Sequence, residues 1–474
     1  MPQIPRPRPV PTTEPPDSSP AVLVVGAGIA GLTAAWRLSQ AGVSVEVLEK
    51  ERWPGGRMAT LDHDGFRIEL GASILGTNYT RMLDLITELG LQQQFGPANT
   101  TCAFLRDGRV HHLRAHRPDD LLRSGLLGPR SKLALARLVP TLIAQRHRLD
   151  WRTMDRNTVL DRSSVTEYAR RHLTPELLEQ VCEPLFGGGI VLGSPDELAA
   201  ADMFFYAAKL LVPHFNSPHG VGLLTRTLAD RLPVRLGAAV SAVRHDGDGV
   251  SVTWTDADGT EHTRHAAAAI VAVPAPHVPG LVPGLSRPVA RLLSAIPYSR
   301  GLVVSFGLRH PPPQTAPILF TARGTNPDLA GLELHHNKIA GRVAPGRGLI
   351  TAHLRKDSAH RWWDLDDDAV TERTLTAVAR IFPGIDGTVL TSHVNRRDPA
   401  LVVRPPGGYA ALRELNAHLE HADPTVQLAG DYFGPSSTYG ALLSGEHAAR
   451  RTLRRLRSNR PPRTPDAKGD ALAS

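Results

Sequence analysis

The chain has 474 residues, with 54 lysines and arginines against 46 acids and a formal net charge of +8. Its 41% hydrophobic and 21% charged content is that of a globular protein and excludes collagen-like or low-complexity classes. Two cysteines, Cys102 and Cys182, exclude a disulfide framework or a cysteine metal cluster and point to a reducing, cytoplasmic setting.

Residues 1–20 are proline-rich and lack the apolar core of a secretory signal, so a disordered tail is expected. The apolar run Ala21–Val25 then enters Gly26-Ala27-Gly28-Ile29-Ala30-Gly31 and a helix-like pattern to Leu38. In this G-x-G-x-x-G spacing, Gly26 allows the tight turn, Gly28 lets the backbone approach a pyrophosphate, and Gly31 lets the helix pack closely. The helix start adds free N–H groups and a dipole for the phosphates. Val43–Glu49 reads as the second strand. Glu49 follows the first glycine at about the 20 residues at which an acid meets a ribose 2′-hydroxyl, which suits FAD or NAD better than NADP.

Lys50 leads into Gly55-Gly56-Arg57, a loop whose arginine is placed to meet an anion. Phe66–Leu70 alternates as a strand and runs into Gly71-Ala72-Ser73. Thr80–Leu89 reads as an amphipathic helix stopped at Gly90, and Asp107-Gly108 as a hairpin turn. From about Pro118 to Leu211 the pattern is mostly helical. Within it, Ser131–Arg148 carries an apolar stripe with a basic end, which either faces the domain core or docks on a membrane surface.

Strands return at Val234–Leu236, Ala239–Val243, Val250–Trp254 and Ala267–Val273, with Asp-Gly turns at Asp246-Gly247 and Asp258-Gly259. Residues from about 300 to 397 read as a second α/β lobe. Val426–Gly430-Asp431 is a late strand ending in glycine and acid, followed by Ser437-Thr438-Tyr439 and a long helix to about Arg457. No apolar run approaches the roughly 18 residues of a membrane-spanning helix. No basic run interleaved with aromatics suggests nucleic acid, and no ligand spacing suggests a metal.

Taken together, Val25–Leu32, Val47–Lys50 with Gly55–Arg57, Gly71–Ser73, and Leu428–Asp431 with Gly440–Ala449 resemble the FAD-dependent amine oxidase-like superfamily. Glu183–Gly189 followed by Ser194–Leu198 is similar to its protoporphyrinogen oxidase branch, beside the carotenoid desaturases. The resemblance implies an α/β fold: a Rossmann-like FAD-binding domain, a second mixed α/β substrate-binding lobe and a helical insertion. The expected FAD-binding parts are residues 21–116, 216–285 and 416–458. The helical subdomain is expected at 117–215, the substrate lobe at 286–415, and a second disordered tail at 459–474.

The resemblance also implies roles. Glu49 takes the adenosine ribose, and the segment from Gly26 to Gly31 holds the pyrophosphate with Arg57. Val240 contacts adenine through its backbone. Asp431 reaches the ribityl or phosphate region, and Ser437, Thr438 and Tyr439 lie near the isoalloxazine. Lys50, Gly56, Gly71, Ala72, Ser73 and Gly430 complete the expected cofactor site. FAD is expected to be non-covalent, because no late cysteine is present.

Two departures turn the expectation away from simple amine oxidases. The strand that often carries a lysine beside the flavin is Gly301–Phe306, and neither Arg300 nor Gly301 is a lysine. A position often aromatic in amine oxidases is Ser437 here. The expected activity is dehydrogenation or desaturation of a fairly apolar small molecule by hydride transfer to FAD, in cofactor, pigment or secondary-metabolite biosynthesis. Oxygen is the expected reoxidant, because no second dinucleotide motif is present. A flavin amine oxidase and a non-redox flavin isomerase are the alternatives. No catalytic residue is assigned. His335, His336 and Lys338 read either as proton handlers or as solvated turn residues, and Phe204, Phe205 and Tyr206 as core or pocket lining.

Overall fold

A computed structural model describes residues 20–458 apart from 115 and 210. The expected tails, residues 1–19 and 459–474, lie outside the described residues.

The first lobe is built on a five-stranded parallel sheet. Its order is Val234–Leu236, Val45–Glu49, Val22–Val25, Ala268–Val271, Val426–Leu428. Val22–Val25 sits at the centre, paired in register with Val45–Leu48 on one side and Ala268–Val271 on the other. Both central strands are buried throughout, which explains why they read as continuous apolar runs rather than alternating ones. A three-stranded antiparallel sheet of Ala239–Asp246, Gly249–Thr255 and Glu261–Ala266 packs beside it, with the Asp-Gly tips at its hairpin turns.

The helix Ile29–Gln40 crosses the last helix, Thr438–Ser458, at very short range. A Cβ added to Gly445 would lie 2.1 Å from the Ala30 carbonyl oxygen, and one on Gly31 would lie 2.0 Å from that of Gly26. Glycine is therefore a packing requirement at both positions. A buried carboxylate locks the crossing. Glu446 Oε1 accepts from Arg37 Nε at 3.0 Å and Arg81 Nη2 at 2.8 Å, and Oε2 accepts from Arg81 Nε at 3.1 Å.

The second lobe is a seven-stranded sheet ordered Val389–Arg397, Gly301–Leu308, Gly348–Leu354, Leu329–Leu334, Ile318–Thr321, Thr101–Arg106, Arg109–Arg114. The Asp107-Gly108 hairpin forms with positive φ at both turn residues (50° and 71°). Its place differs from the expected 21–116 domain, because Cys102–Leu105 pairs in parallel with Ile318–Thr321 and so joins the second lobe. A turn signal fixes a hairpin but not the sheet it joins.

The helical segment also differs in detail. The stretch expected as one helix from Ser131 breaks at Arg137 into Pro129–Ala136 and Leu138–Gln145. Pro140 stands in the first turn of the second helix, where a missing N–H costs nothing.

The Glu446 lock is testable. Its two arginines hold the carboxyl below the usual glutamate range against the opposing effect of burial. A depressed carboxyl contributes stability above its unfolded pKa, near 4.3, and loses it as pH falls through the folded value. Glu446→Gln is expected to cost about 1.5–3 kcal/mol at neutral pH, and less below about pH 4. Thermal melts at the two pH values check this.

Candidate functional site

One cavity of about 550 Å³ runs between the two lobes. At one end its wall is the glycine-rich turn: Gly28, Ile29 and Ala30, with Gly55, Arg57 and Gly71-Ala72-Ser73. Gly430, Asp431, Ser437 and Thr438 face the same space from the end of the chain. The structure thus brings together two groups of residues that are almost four hundred positions apart in sequence.

The three motif glycines divide as their spacing implies. Gly26 has φ +101° and an added Cβ would lie 2.7 Å from the Ala272 carbonyl oxygen, so it serves the turn. Gly31 serves helix packing. A Cβ on Gly28 meets nothing within 4 Å. The space Gly28 keeps clear is therefore cavity, where a phosphate can approach the backbone at the helix start. This fits a dinucleotide pyrophosphate.

Arg57 is the hinge of this end. Its guanidinium pairs with Asp431 through two bonds, Nη1 to Oδ2 at 2.6 Å and Nη2 to Oδ1 at 2.9 Å. Nη1 also donates to the Ala400 carbonyl at 2.8 Å, which belongs to the second lobe. Burial opposes the Arg57 charge, but Asp431 outweighs it and raises its pKa.

Glu49 lies just behind the wall, where Oε2 accepts from Ala27 N–H at 2.7 Å and Oε1 from Glu51 N–H at 2.9 Å. Burial raises its carboxyl above the usual range, and the two backbone donors oppose this. The other expected residues stand off the wall. Lys50 is exposed, 4.0 Å from Glu51 Oε1. Gly56 lies in the turn beside Gly28. Val240 lies in the three-stranded sheet opposite Trp254. Tyr439, expected at the isoalloxazine with Ser437 and Thr438, instead stacks on Tyr79 at 4.8 Å, and its hydroxyl meets Thr80. The helix start turns it backward. Ser437 is engaged as well: its Oγ accepts from Trp151 Nε1 at 3.0 Å and Gly440 N–H at 2.9 Å.

The cavity floor is the second lobe's sheet, and period-two alternation decides its chemistry. Val303, opposite both His353 and Asn395, continues to Gly331 and then Phe320 and Phe104 across the strands. The next row runs from Ser305 through Thr351 and Glu333 to Ile318 and Cys102. One edge of the floor is thus polar and the other apolar. Phe205, Tyr206 and Trp151 also face the cavity, while Phe204 packs edge-on against Tyr168. Both cysteines are free and line the wall, and burial pushes each thiol up to about 12.

At the polar edge lies a cluster that motif reading only half found. Glu333 Oε2 is 2.5 Å from Lys338 Nζ, and Oε1 is 3.2 Å from His353 Nε2. His335 Nε2 is 2.9 Å from Thr351 Oγ1. Lys338 Nζ also donates to the Ser73 carbonyl at 3.3 Å, which ties the cluster to the glycine-rich end. The turn at 335–338 is therefore not solvated, since His335 and Lys338 are 1% and 4% exposed. Burial works against the Glu333 charge, but Lys338 and then His353 hold its carboxyl well below the usual range. Burial, with Lys338, pushes the His335 pKa well below the usual histidine range. Glu333, His353, Asn395 and Arg397 were not singled out from sequence. The signal at Glu333 and His353 is a charged or titratable residue in an otherwise largely apolar strand, while Asn395 and Arg397 lie in a polar strand and carry none.

The family model for flavin containing amine oxidoreductases matches residues 29–453. The chain belongs to this family. It is therefore an FAD-dependent oxidoreductase of the amine oxidase-like superfamily. Mitochondrial protoporphyrinogen oxidase of Nicotiana tabacum is 32% identical over 190 residues, 40% of this chain and 36% of that enzyme. Phytoene dehydrogenase of Streptomyces griseus is 54% identical over 54 residues, 11% of each chain. These matches span well under two thirds of the curated relatives. Among solved structures, cyclohexylamine oxidase of Brevibacterium oxydans IH-35A superposes with TM-score 0.74 at 18% identity, covering 93% of this chain and all of that one. A putative protoporphyrinogen oxidase of Exiguobacterium sp. 255-15 gives 0.69 at 20% identity, over 91% and 98%. Both share the fold.

The glycine roles make opposite predictions for similar substitutions. Gly28→Val should leave the protein folded and weaken FAD retention at least tenfold. Gly31→Val should prevent a stable fold by driving apart the turn and its helix. Far-ultraviolet circular dichroism and the flavin-to-protein absorbance ratio check both.

Proposed function

We propose that this chain oxidises a small, largely apolar organic molecule at a carbon next to a polar or conjugated group, in cofactor, pigment or secondary-metabolite biosynthesis. The observation that carries this reading is the cavity between the lobes, whose glycine-rich end fits FAD and whose floor grades from a polar edge at Glu333 and His353 to an apolar one at Phe104 and Phe320.

Bound FAD supplies the two-electron acceptor. The residues holding it would be the Gly28–Ala30 turn, Glu49, Arg57, Gly71–Ser73 and Gly430-Asp431. The chain itself binds and orients. Its apolar wall desolvates the substrate body, and its polar edge fixes which end faces the glycine-rich turn. Ser437, tied to Trp151, leaves the position that is often aromatic in amine oxidases without a ring. This supports the dehydrogenase reading over the amine one. We further propose oxygen as the reoxidant and, from the two free thiols, a cytoplasmic location.

Anaerobic mixing of the holoenzyme with a porphyrinogen, a polyene, cyclohexylamine and a tryptophan-derived amine tests the reading. Flavin bleaching by the porphyrinogen or polyene is expected. Fast bleaching by simple amines alone replaces it with amine oxidation, and bleaching by none removes the redox reading.

A further inference from the structure

Among the described residues, four arginines line the cavity, and three of them are answered by acids. Arg57 pairs with Asp431, Arg114 with Asp120 and Arg117 with Asp119. Arg397 is the fourth. Among the described residues no carboxylate pairs with its guanidinium, and its Nε is buried without a hydrogen-bond partner.

The strand Val389–Arg397 explains how it comes to stand there. Alternation turns Asn395 and Arg397 to the cavity and Arg396 away from it. Arg396 is well supplied on its own side, by Asp367 and by the carbonyls of Trp363 and Leu365 at 3.0 and 2.6 Å. Asn395 is held as well, donating to the Leu70 carbonyl at 3.0 Å. Opposite Arg397 the neighbouring strand places Gly301, which offers no side chain. Burial lowers the Arg397 pKa, and the charges that act on it besides are Glu51, Arg57 and Glu49. A partly desolvated cation with no counter-charge is costly, so an anionic ligand at this point is favoured.

The same three neighbours say which ligand. All belong to the cofactor end of the first lobe, so Arg397 reaches that end from the lobe opposite. Glu49 cannot answer it, because both of its oxygens accept backbone N–H groups, from Ala27 and Glu51. Arg57 has its two terminal nitrogens committed to Asp431 and the Ala400 carbonyl. A pyrophosphate lying against the Gly28 turn therefore finds one uncommitted guanidinium, and it is that of Arg397.

We propose that Arg397 is the cation that holds the FAD pyrophosphate from the second lobe, while Arg57 frames the site. The cofactor then bridges the two lobes, and its charge offsets a guanidinium that no carboxylate of the chain answers. This assignment is independent of which substrate is oxidised.

FAD release from the full-length holoenzyme on dilution, and titration of the freshly stripped apoprotein with ADP and with adenosine, test this. FAD and ADP carry the pyrophosphate and adenosine does not. Arg397→Gln is expected to weaken FAD and ADP by about tenfold to a hundredfold, the range of a lost charge-assisted hydrogen bond, and to leave adenosine unchanged. Arg397→Lys keeps the charge but loses the planar fork, and should weaken ADP by a smaller factor, about threefold. High salt should narrow the gap between the wild type and Arg397→Gln. FAD and ADP binding unchanged in Arg397→Gln overturns the proposal. So does an equal loss of adenosine affinity, which would mean that the site itself had been disturbed. Circular dichroism checks the fold of each variant, and should Arg397→Gln not fold, ADP binding unchanged in Arg397→Lys overturns it.

Discussion

Three parts of the chain meet on one guanidinium. Arg57 reaches from the Gly55-Gly56 loop to Asp431 just past the last strand and to the Ala400 carbonyl of the second lobe. The pair with Asp431 is paid for by two good hydrogen bonds, and removing one partner of such a buried pair typically costs about 3–5 kcal/mol. Its geometry sets the separation between the helix start at Gly28 and the turn at Ser436–Thr438, and so the width of the cofactor end. The close helix crossing of Ala30 and Gly445 braces the same end from behind. The cofactor end is therefore framed by two independent contacts, one ionic and one steric.

The opposite wall follows a different rule. The second lobe's sheet fills one face with side chains taken from every second residue of each strand, so its chemistry is set by register. Because Glu333 stands opposite Thr351, and His353 opposite Val303, their polar atoms gather on the cavity side, while Leu302, Val304 and Phe306 turn to the lobe's own core. A slip of one residue in Gly348–Leu354 would exchange Thr351 and His353 for Ile350 and Ala352, taking His353 from Glu333 and Thr351 from His335. The ionic cluster thus pins the register of the sheet that carries it.

This contrast explains what sequence could reveal. Gly26, Gly28, Gly31, Glu49, Arg57 and Gly430-Asp431 are legible because each answers a local backbone constraint that recurs at fixed spacing. The two-lobed α/β class follows from the same motifs and the alternation of strands and helices. Glu333 and His353 are 20 positions apart in sequence, and they become neighbours only through antiparallel pairing that no local pattern announces. The hairpin at Asp107-Gly108 was readable as a hairpin, but its parallel pairing with Ile318–Thr321 was not. Tyr439 shows a third limit: its position at the right turn was legible, while its direction depended on Tyr79 and Trp151, which pack around it.

The order of strands has a consequence for how the protein is made. The central strand Val22–Val25 is synthesised first, yet its neighbour Ala268–Val271 comes some two hundred and forty residues later and the sheet's edge, Val426–Leu428, later still. Until that edge and the helix behind it emerge, Ala30 faces no partner helix and Arg57 has no Asp431. Non-local pairing of this kind is slow and leaves strand edges open in the meantime. A nascent chain therefore exposes an apolar half-sheet until residues 426–458 are made and gains its nucleotide cradle only with them. Cofactor capture is in this sense the closing event of assembly, and the apoprotein is the form most dependent on protection from aggregation.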